Sequence, residues 1–322
     1  MPVSPTYPGV YIEEIPSGVR TITGVSTSNT AFVGYLKRGP MNEATMITSF
    51  GDFQRKFGGL DSDCETSYAV RQYYLNGGSI AWIVRVSAGT PLASSLNYAP
   101  IDPLANISVS AKSEGAWGDN VQFAIDESTD SPGNFNLYVR EVNDVAAGDL
   151  GVVSAESFMN LSLDSASDRY AVSIVNKGSQ LVDITSLGAA SFPRSGLFGD
   201  DAPTDTDFVS LTGGGNGSMP TDSVPYTGNE AGKEGIYALE NIAPEIFNIL
   251  CVPDMATMSD TDAGGLIPSC ETYCEKKRAF LLVDSVSDWD SADNLTAAGD
   301  LITWVGAMRS QNAAIHYPRL EI

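Results

Sequence analysis

Residues 234–284 read EGIYALENIAPEIFNILCVPDMATMSDTDAGGLIPSCETYCEKKRAFLLVD, and the alternation within them decides the fold class. Glu234–Ile242 and Gly264–Lys277 carry helical spacing, whereas Ile246–Val252 and Ala279–Asp284 are short and nearly all apolar. The alternation continues with a helix predicted over Ala292–Met308 and a strand over Ala313–Tyr317. Strands this apolar need cover on both faces, and helices between successive strands supply it.

The same texture is present near the start of the chain. Thr30–Leu36 (TAFVGYL), Ala44–Phe50 (ATMITSF) and Ile80–Val86 (IAWIVRV) are predicted strands. The first two are joined by the turn Lys37-Arg38-Gly39-Pro40. Ser49 is placed to cap a helix carrying Phe50, Phe53 and Phe57, with Gly58-Gly59 as its stop. A second helix is predicted over Glu65–Leu75, ending at Asn76-Gly77-Gly78. Residues 21–90 and 231–322 are therefore expected to build one discontinuous α/β (α+β) core domain, with a mixed sheet covered by helices.

Residues 91–230 differ. β-like runs at Ile107–Ala111, Val121–Asp126, Phe135–Val142 and Phe208–Leu211 are separated by acidic, turn-rich stretches, with a helix predicted near Ser165–Val175. Of the net charge of −22, this segment carries −14, residues 231–322 carry −8, and residues 1–90 balance. A β-rich, solvated surface insertion is expected. Such an acidic surface repels phosphate backbones, so direct nucleic-acid binding is not expected.

The first 20 residues form a third texture. Pro2, Pro5, Pro8 and Pro16 exclude a helix, and Tyr7–Ile15 has the composition of a strand with nothing local to pair with. An extended N-terminal arm is expected, with Tyr7, Pro8, Gly9, Val10, Tyr11, Ile12, Glu13, Glu14 and Ile15 as its inter-subunit contacts. The N-terminus lacks the pattern of a secretory signal, and the longest apolar runs, such as Ala279–Val283, are too short to span a bilayer. A soluble protein without membrane insertion is expected.

No constellation of chemistry rises above chance. One histidine, His316, leaves little room for acid–base or triad catalysis, and it is read as a packed strand residue. Gly34-Tyr-Leu-Lys-Arg-Gly39 is followed by Pro40 where a phosphate loop needs lysine. The cluster Gly213–Gly217 has Pro220 and Pro225 after it instead of a helix. Asp61-Ser-Asp63-Cys-Glu65 begins like a calcium loop, but Thr66 and Gln72 stand at the glycine and bidentate-acid positions. Helix N-terminal acids are the better reading there. Asp205/Asp207 and Asp260/Asp262 are carboxylate pairs of a kind expected by chance in a chain with 40 acids. Cys64, Cys251, Cys270 and Cys274 are read as free thiols, although Cys270 and Cys274 share a helix face. No catalytic residue, metal site or cofactor is expected.

The residues Tyr7–Glu14 (YPGVYIEE), Arg20–Thr27 (RTITGVST), Ala31–Gly34, Arg38–Pro40, Thr48–Phe53, Phe57–Gly59, Asn76–Gly78 and Val84–Val86 fall in a characteristic order. In that order they resemble the tail sheath protein family of contractile phage tails and related contractile injection systems. Weaker matches follow at Gly115–Asn120 (GAWGDN), Leu211–Gly217 (LTGGGNG) and Tyr273–Asp284. The resemblance implies a structural subunit, not an enzyme, that polymerises helically around an inner tube and contracts to drive it through a target envelope. The implied partners are other copies of the chain, the inner tube protein, and baseplate and tail-terminator proteins. Assembly is implied in the bacterial cytoplasm, as part of a phage tail or an injection particle that can be released from the cell. Members of that family usually continue past the Ala313–Pro318 strand into a further region with a second arm, whereas this sequence stops at Ile322. The resemblance therefore assigns no residue to inner-tube contact. Two rival readings are an α/β enzyme using the crevice near Asp254 or Asp284, and a surface-binding module whose acidic insertion takes a basic partner.

Overall fold

A computed structural model describes residues 28–98, 107–126, 134–186, 203–243, 245–289 and 310–317. The arm contacts Tyr7–Ile15 and the helix predicted over Ala292–Met308 lie outside the described residues. In chain order, β1 (Thr30–Tyr35), β2 (Thr45–Ile47), helix α1 (Phe50–Phe57), helix α2 (Glu65–Leu75) and β3 (Ala81–Val86) come first. The middle segment holds β4 (Ser95–Tyr98), β5 (Ile107–Ala111), β6 (Val121–Asp126), β7 (Phe135–Asp144), β8 (Asp149–Leu161), helix α3 (Ala171–Gly178), β9 (Val182–Ser186) and β10 (Val209–Ser210). The last part comprises helix α4 (Val224–Thr227), a 3-10 helix at Gly235–Ile242, β11 (Ile249–Cys251), helix α5 (Asp260–Lys277), β12 (Phe280–Val283) and β13 (Ala313–Ile315).

Six strands form a mixed sheet in the order β13-β12-β11-β1-β3-β2. All neighbours are parallel except β2, which runs antiparallel to β3. Strands from both ends of the sequence thus meet in one sheet, where Thr30 of β1 lies beside Ile249 of β11. Every residue of β1 and β3 is buried. The reason is that successive side chains feed two different cores. Ala31, Val33, Trp82 and Val84 pack with Ile236, Leu239, Leu266 and Cys270 on one face. Phe32, Ala81 and Ile83 pack with Phe53, Phe57 and Val70 on the other.

The local signals act as sequence chemistry requires. Ser49 accepts the Asp52 backbone N–H at 3.1 Å and caps α1, and Gly58 ends that helix in the left-handed conformation. Because Ser49 is turned to this task, only Thr45–Ile47 of the predicted Ala44–Phe50 strand pairs, and it forms a sheet edge with Met46 exposed. Of Ile246–Val252, only Ile249–Cys251 pairs, since Val252 already leads into the 3-10 helix Pro253–Thr257. The helix predicted over Glu234–Ile242 is a 3-10 helix, opened by a Glu234–Tyr237 turn bond of 3.1 Å. His316 corrects its expectation. It lies just past β13 and is exposed, not packed, as is Tyr317.

The middle segment has a core of its own. Sheets β10-β6-β7-β8 and β4-β5-β9 share one cluster built from Ile107, Val109, Phe123, Leu137, Val182 and Leu211 among others. Its helix begins at Ala171 instead of near Ser165, because the side chains of Asp164 and Ser167 bind the N–H groups of Ala166 and Arg169 in tight turns. β8, β9 and β4 had no expectation from sequence. Among the described residues β8 is an edge strand, and its Leu150, Val152, Val153 and Met159 are exposed instead of packed.

One close approach locks helix α2 onto β1. A Cβ on Gly34 would stand 1.8 Å from Thr66 Oγ1 and 3.1 Å from Asp254 Oδ2. Gly34→Ala is expected to destabilise the protein by ~1–3 kcal/mol, the usual cost of overpacking, as measured by a lowered urea midpoint at unchanged slope. An unchanged midpoint would mean that α2 does not seat on β1 in this way.

Candidate functional site

Four sequence stretches that carry no catalytic constellation converge at one place, where the six-stranded sheet meets the middle segment. They are Lys37–Pro40, Val84–Val86, Gly115–Asn120 and Leu211–Gly217. The two chain passages between the bodies run antiparallel as a ribbon. Ala88 and Ser218 exchange backbone bonds of 2.9 and 3.0 Å, Leu92 and Gly215 exchange two of 2.9 Å, and Ser95 N–H reaches Thr212 O at 2.9 Å.

Arg85 is the hub. It stands on β3 among apolar neighbours and has no exposed surface. A buried guanidinium has five donors to satisfy and carries a lasting positive charge. Its Nε donates to Leu36 O at 2.7 Å, and its Nη1 donates to Gly39 O at 2.6 Å and Glu114 O at 2.8 Å. The Glu114 carboxylate lies 3.9 Å away, and Nη2 has no hydrogen-bond partner among the described residues. Burial lowers the Arg85 pKa, opposed by the nearby acid of Glu114. Two acceptors come from the loop after β1 and one from the middle segment, so one side chain holds both.

A second arginine sits beside it. Arg38 Nη1 pairs with Glu141 Oε1 of β7 at 2.7 Å, and its guanidinium carbon lies 3.9 Å from the centre of the Trp117 ring. Gly39 N–H donates to Ser113 Oγ at 3.1 Å. Gly115 has φ +133°, and a Cβ there would stand 2.1 Å from Lys37 O, so only glycine lets the two loops close. Asn216 Oδ1 accepts Ala116 N–H at 2.8 Å, and Asp119 Oδ1 accepts both Ser94 Oγ–H and Gly214 N–H. The glycine cluster 213–217 is thus turned inward on the Gly115–Asn120 turn. Lys37 binds Asp61 and Asp63 at 2.9 and 2.7 Å, which gives those acids a cation as partner.

The crevice candidates resolve differently. Asp254 has no exposed surface, and its carboxylate accepts Tyr35 N–H at 2.5 Å, Tyr226 Oη–H at 2.9 Å and Thr66 Oγ1–H at 3.1 Å. It pins β1, α2 and α4 to the loop after β11. Burial pushes its pKa up to about 6, against the lowering effect of those three donors. Asp284 is half-buried, and burial raises its pKa while His316 opposes the shift. Cys270 and Cys274 are buried in the sheet's core with thiol pKa values raised by burial, that of Cys274 to about 12. Among the described residues no three acidic, histidine or cysteine side chains are grouped to hold a metal. Asp205 pairs with Arg140, and Asp207 closes a capping box with Thr204.

From sequence Asp254 was marked only as a crevice candidate and Arg85 only as part of the Val84–Val86 motif, neither as an organising residue. The available signals were an arginine inside an otherwise apolar strand and an aspartate directly after one.

The sequence matches no protein-family model, and no curated protein matches it significantly. Solved structures do match. The sheath tail protein Lin1278 from Listeria innocua superposes with a TM-score of 0.51 at 15% identity, covering 82% of this chain and 49% of that one. The chain has the fold of a tail sheath protein. A sheath tail protein from Desulfitobacterium hafniense, DSY3957, aligns at 16% identity with a TM-score of 0.46, over 87% of this chain and 54% of that one. The chain spans about half the length of the solved sheath proteins it resembles. Among the described residues no helix is long and apolar enough to cross a membrane.

In this sheath fold the Asp254 pin has a titration signature. The folded pKa, about 6, is raised above the ordinary 3.8, so the native state holds the proton more tightly than the unfolded chain. The resulting stabilisation is fully present below pH ~4 and is lost as pH rises through about 6. Denaturation of the wild type and Asp254→Asn from pH 4 to 8 checks this. The wild type is expected to lose ~3 kcal/mol relative to the variant across that window, at ~1.4 kcal/mol per pKa unit. A pH-independent difference would show that Asp254 titrates normally.

Proposed function

We propose that this chain is a structural subunit of a contractile sheath, which polymerises helically around an inner tube and contracts to drive it through a target envelope. The observation that carries this reading is the fold shared with Lin1278 over 82% of the chain. It is supported by the ordered motifs in residues 7–86 and by the use of the middle motifs to join two cores instead of forming a reactive site. In this reading residues 1–20 are an assembly arm, residues 21–90 and 231–322 are the core, and residues 91–230 are an insertion facing outward. The partners are further copies of the chain, an inner tube, a baseplate and a tail terminator. The particle is assembled in the bacterial cytoplasm as a phage tail, a headless bacteriocin or a secretion machine.

The arm has a physical logic. An extended segment can add a strand to the sheet edge of a neighbour. Net hydrogen bonds of ~0.5–1.5 kcal/mol each roughly balance an ordering cost of ~1–2 kcal/mol per residue, so one arm alone is marginal. Burying Tyr7, Val10, Tyr11, Ile12 and Ile15 on a neighbour tips the balance toward association. Many arms acting at high effective concentration make the lattice strong while each joint can flex. A head-to-tail contact that does not close on itself yields a helical polymer.

The test removes residues 1–18 from a full chain shown to form tubes by negative-stain microscopy. The shortened subunit is expected to melt cooperatively near the parent temperature while its tubes are lost or severely shortened. Tubes of normal length, or collapse of the subunit's own stability, would contradict the arm's role.

A further inference from the structure

The middle segment and the six-stranded sheet have separate hydrophobic cores, so their relative orientation depends on what joins them. A two-stranded ribbon is by itself a compliant connection, free to bend and twist. The ribbon of residues 87–95 and 212–218 has a second attachment beside it. There, residues 36–40 meet Ser113, Gly115, Trp117 and Glu141, and Arg85 beside them meets Glu114. Two attachments constrain rotations that one leaves open.

The two arginines serve this attachment by different physics. Arg85 is wholly buried and donates to backbone carbonyls, interactions that salt does not screen. By holding Leu36 O and Gly39 O together, it fixes the shape of the loop that carries Arg38. Arg38 reaches across to a carboxylate and a ring whose positions belong to the other core. Its side chain and that of Glu141 are 13% and 14% exposed, beside a cleft of about 230 Å³ lined by Leu36, Phe57 and Trp117.

We propose that residues 36–40, shaped by Arg85, are a brace that makes the middle segment and the six-stranded sheet one rigid lever, with Arg38 as the residue that positions one body on the other. This goes beyond the sheath reading and does not depend on it, because the brace acts within a single subunit. A force or rotation applied to either body is then passed to the other without loss at the ribbon.

The test is a distance measurement within the intact, unassembled chain. Spin labels are placed at Arg55→Cys, on an exposed side chain of α1, and Ser157→Cys, exposed on β8. Far-UV circular dichroism and the unfolding midpoint report separately whether each variant is folded. The labelled parent is expected to give a single narrow distance peak that persists at roughly 1 M salt, where the Debye length is ~3 Å. Arg38→Ala is expected to replace that peak by a broad distribution while circular dichroism is unchanged. Glu141→Gln, nearly isosteric and still in reach of Arg38, is expected to broaden it less, by the same amount at low and at high salt. A parent distribution that is already broad, or a folded Arg38→Ala chain with the parent's narrow peak, would overturn the brace. If Arg38→Ala does not fold, Glu141→Gln decides: a width identical to the parent's would equally overturn it.

Discussion

A guanidinium with no exposed surface imposes the strictest condition in this molecule. Arg85 cannot shed its charge, so the chain around it must supply acceptors from within. Leu36 O, Gly39 O and Glu114 O take its Nε and Nη1 donors, and each is a backbone carbonyl whose position fixes a loop. The turn after β1 therefore has one shape, the Gly115 turn lies against it, and the ribbon between the two bodies leaves the sheet in one direction. The residue is placed on a central strand, where the backbone is least able to move.

Asp254 works as a counterpart within the sheet domain. A buried carboxylate is tolerated because three donors from three separate elements converge on it. The arrangement closes the crevice at the carboxyl ends of β1 and β11, where an open parallel sheet commonly binds a ligand. The same residues that would make an enzyme reading attractive are spent on holding helices α2 and α4 against the sheet.

In the role proposed for this chain, load would pass between its two bodies, and the arrangement is suited to that task. Both faces of the main sheet are covered, and the middle segment has an independent core. The contacts between the two combine a ribbon, a buried hub and an ion pair stacked on an aromatic ring. The likeness to Lin1278 concerns fold, over about half of that protein's length, and the contractile role rests on the proposal made from it.

Local chemistry alone determined much of the architecture. The Ser49 cap, the Gly58 stop, the limits of α2 at Glu65 and Leu75, and β5 and β6 in full were legible because neighbouring residues set them. The apolar strands also announced a sheet covered on both faces. Elements whose stability comes from partners were not legible. β8 carries its apolar residues without strict alternation, leaves Leu150, Val152, Val153 and Met159 exposed, and exists because β7 offers it a ladder. His316 followed an apolar strand in sequence yet is exposed, because burial depends on what packs above a residue and not on its neighbours in the chain. The convergence of Arg38, Arg85, Gly115 and Asn216 was beyond any one-dimensional reading, since their contacts span up to 129 positions in the chain. Residue spacing encodes which face of an element is apolar, but only tertiary packing decides which distant carbonyls a buried arginine will find.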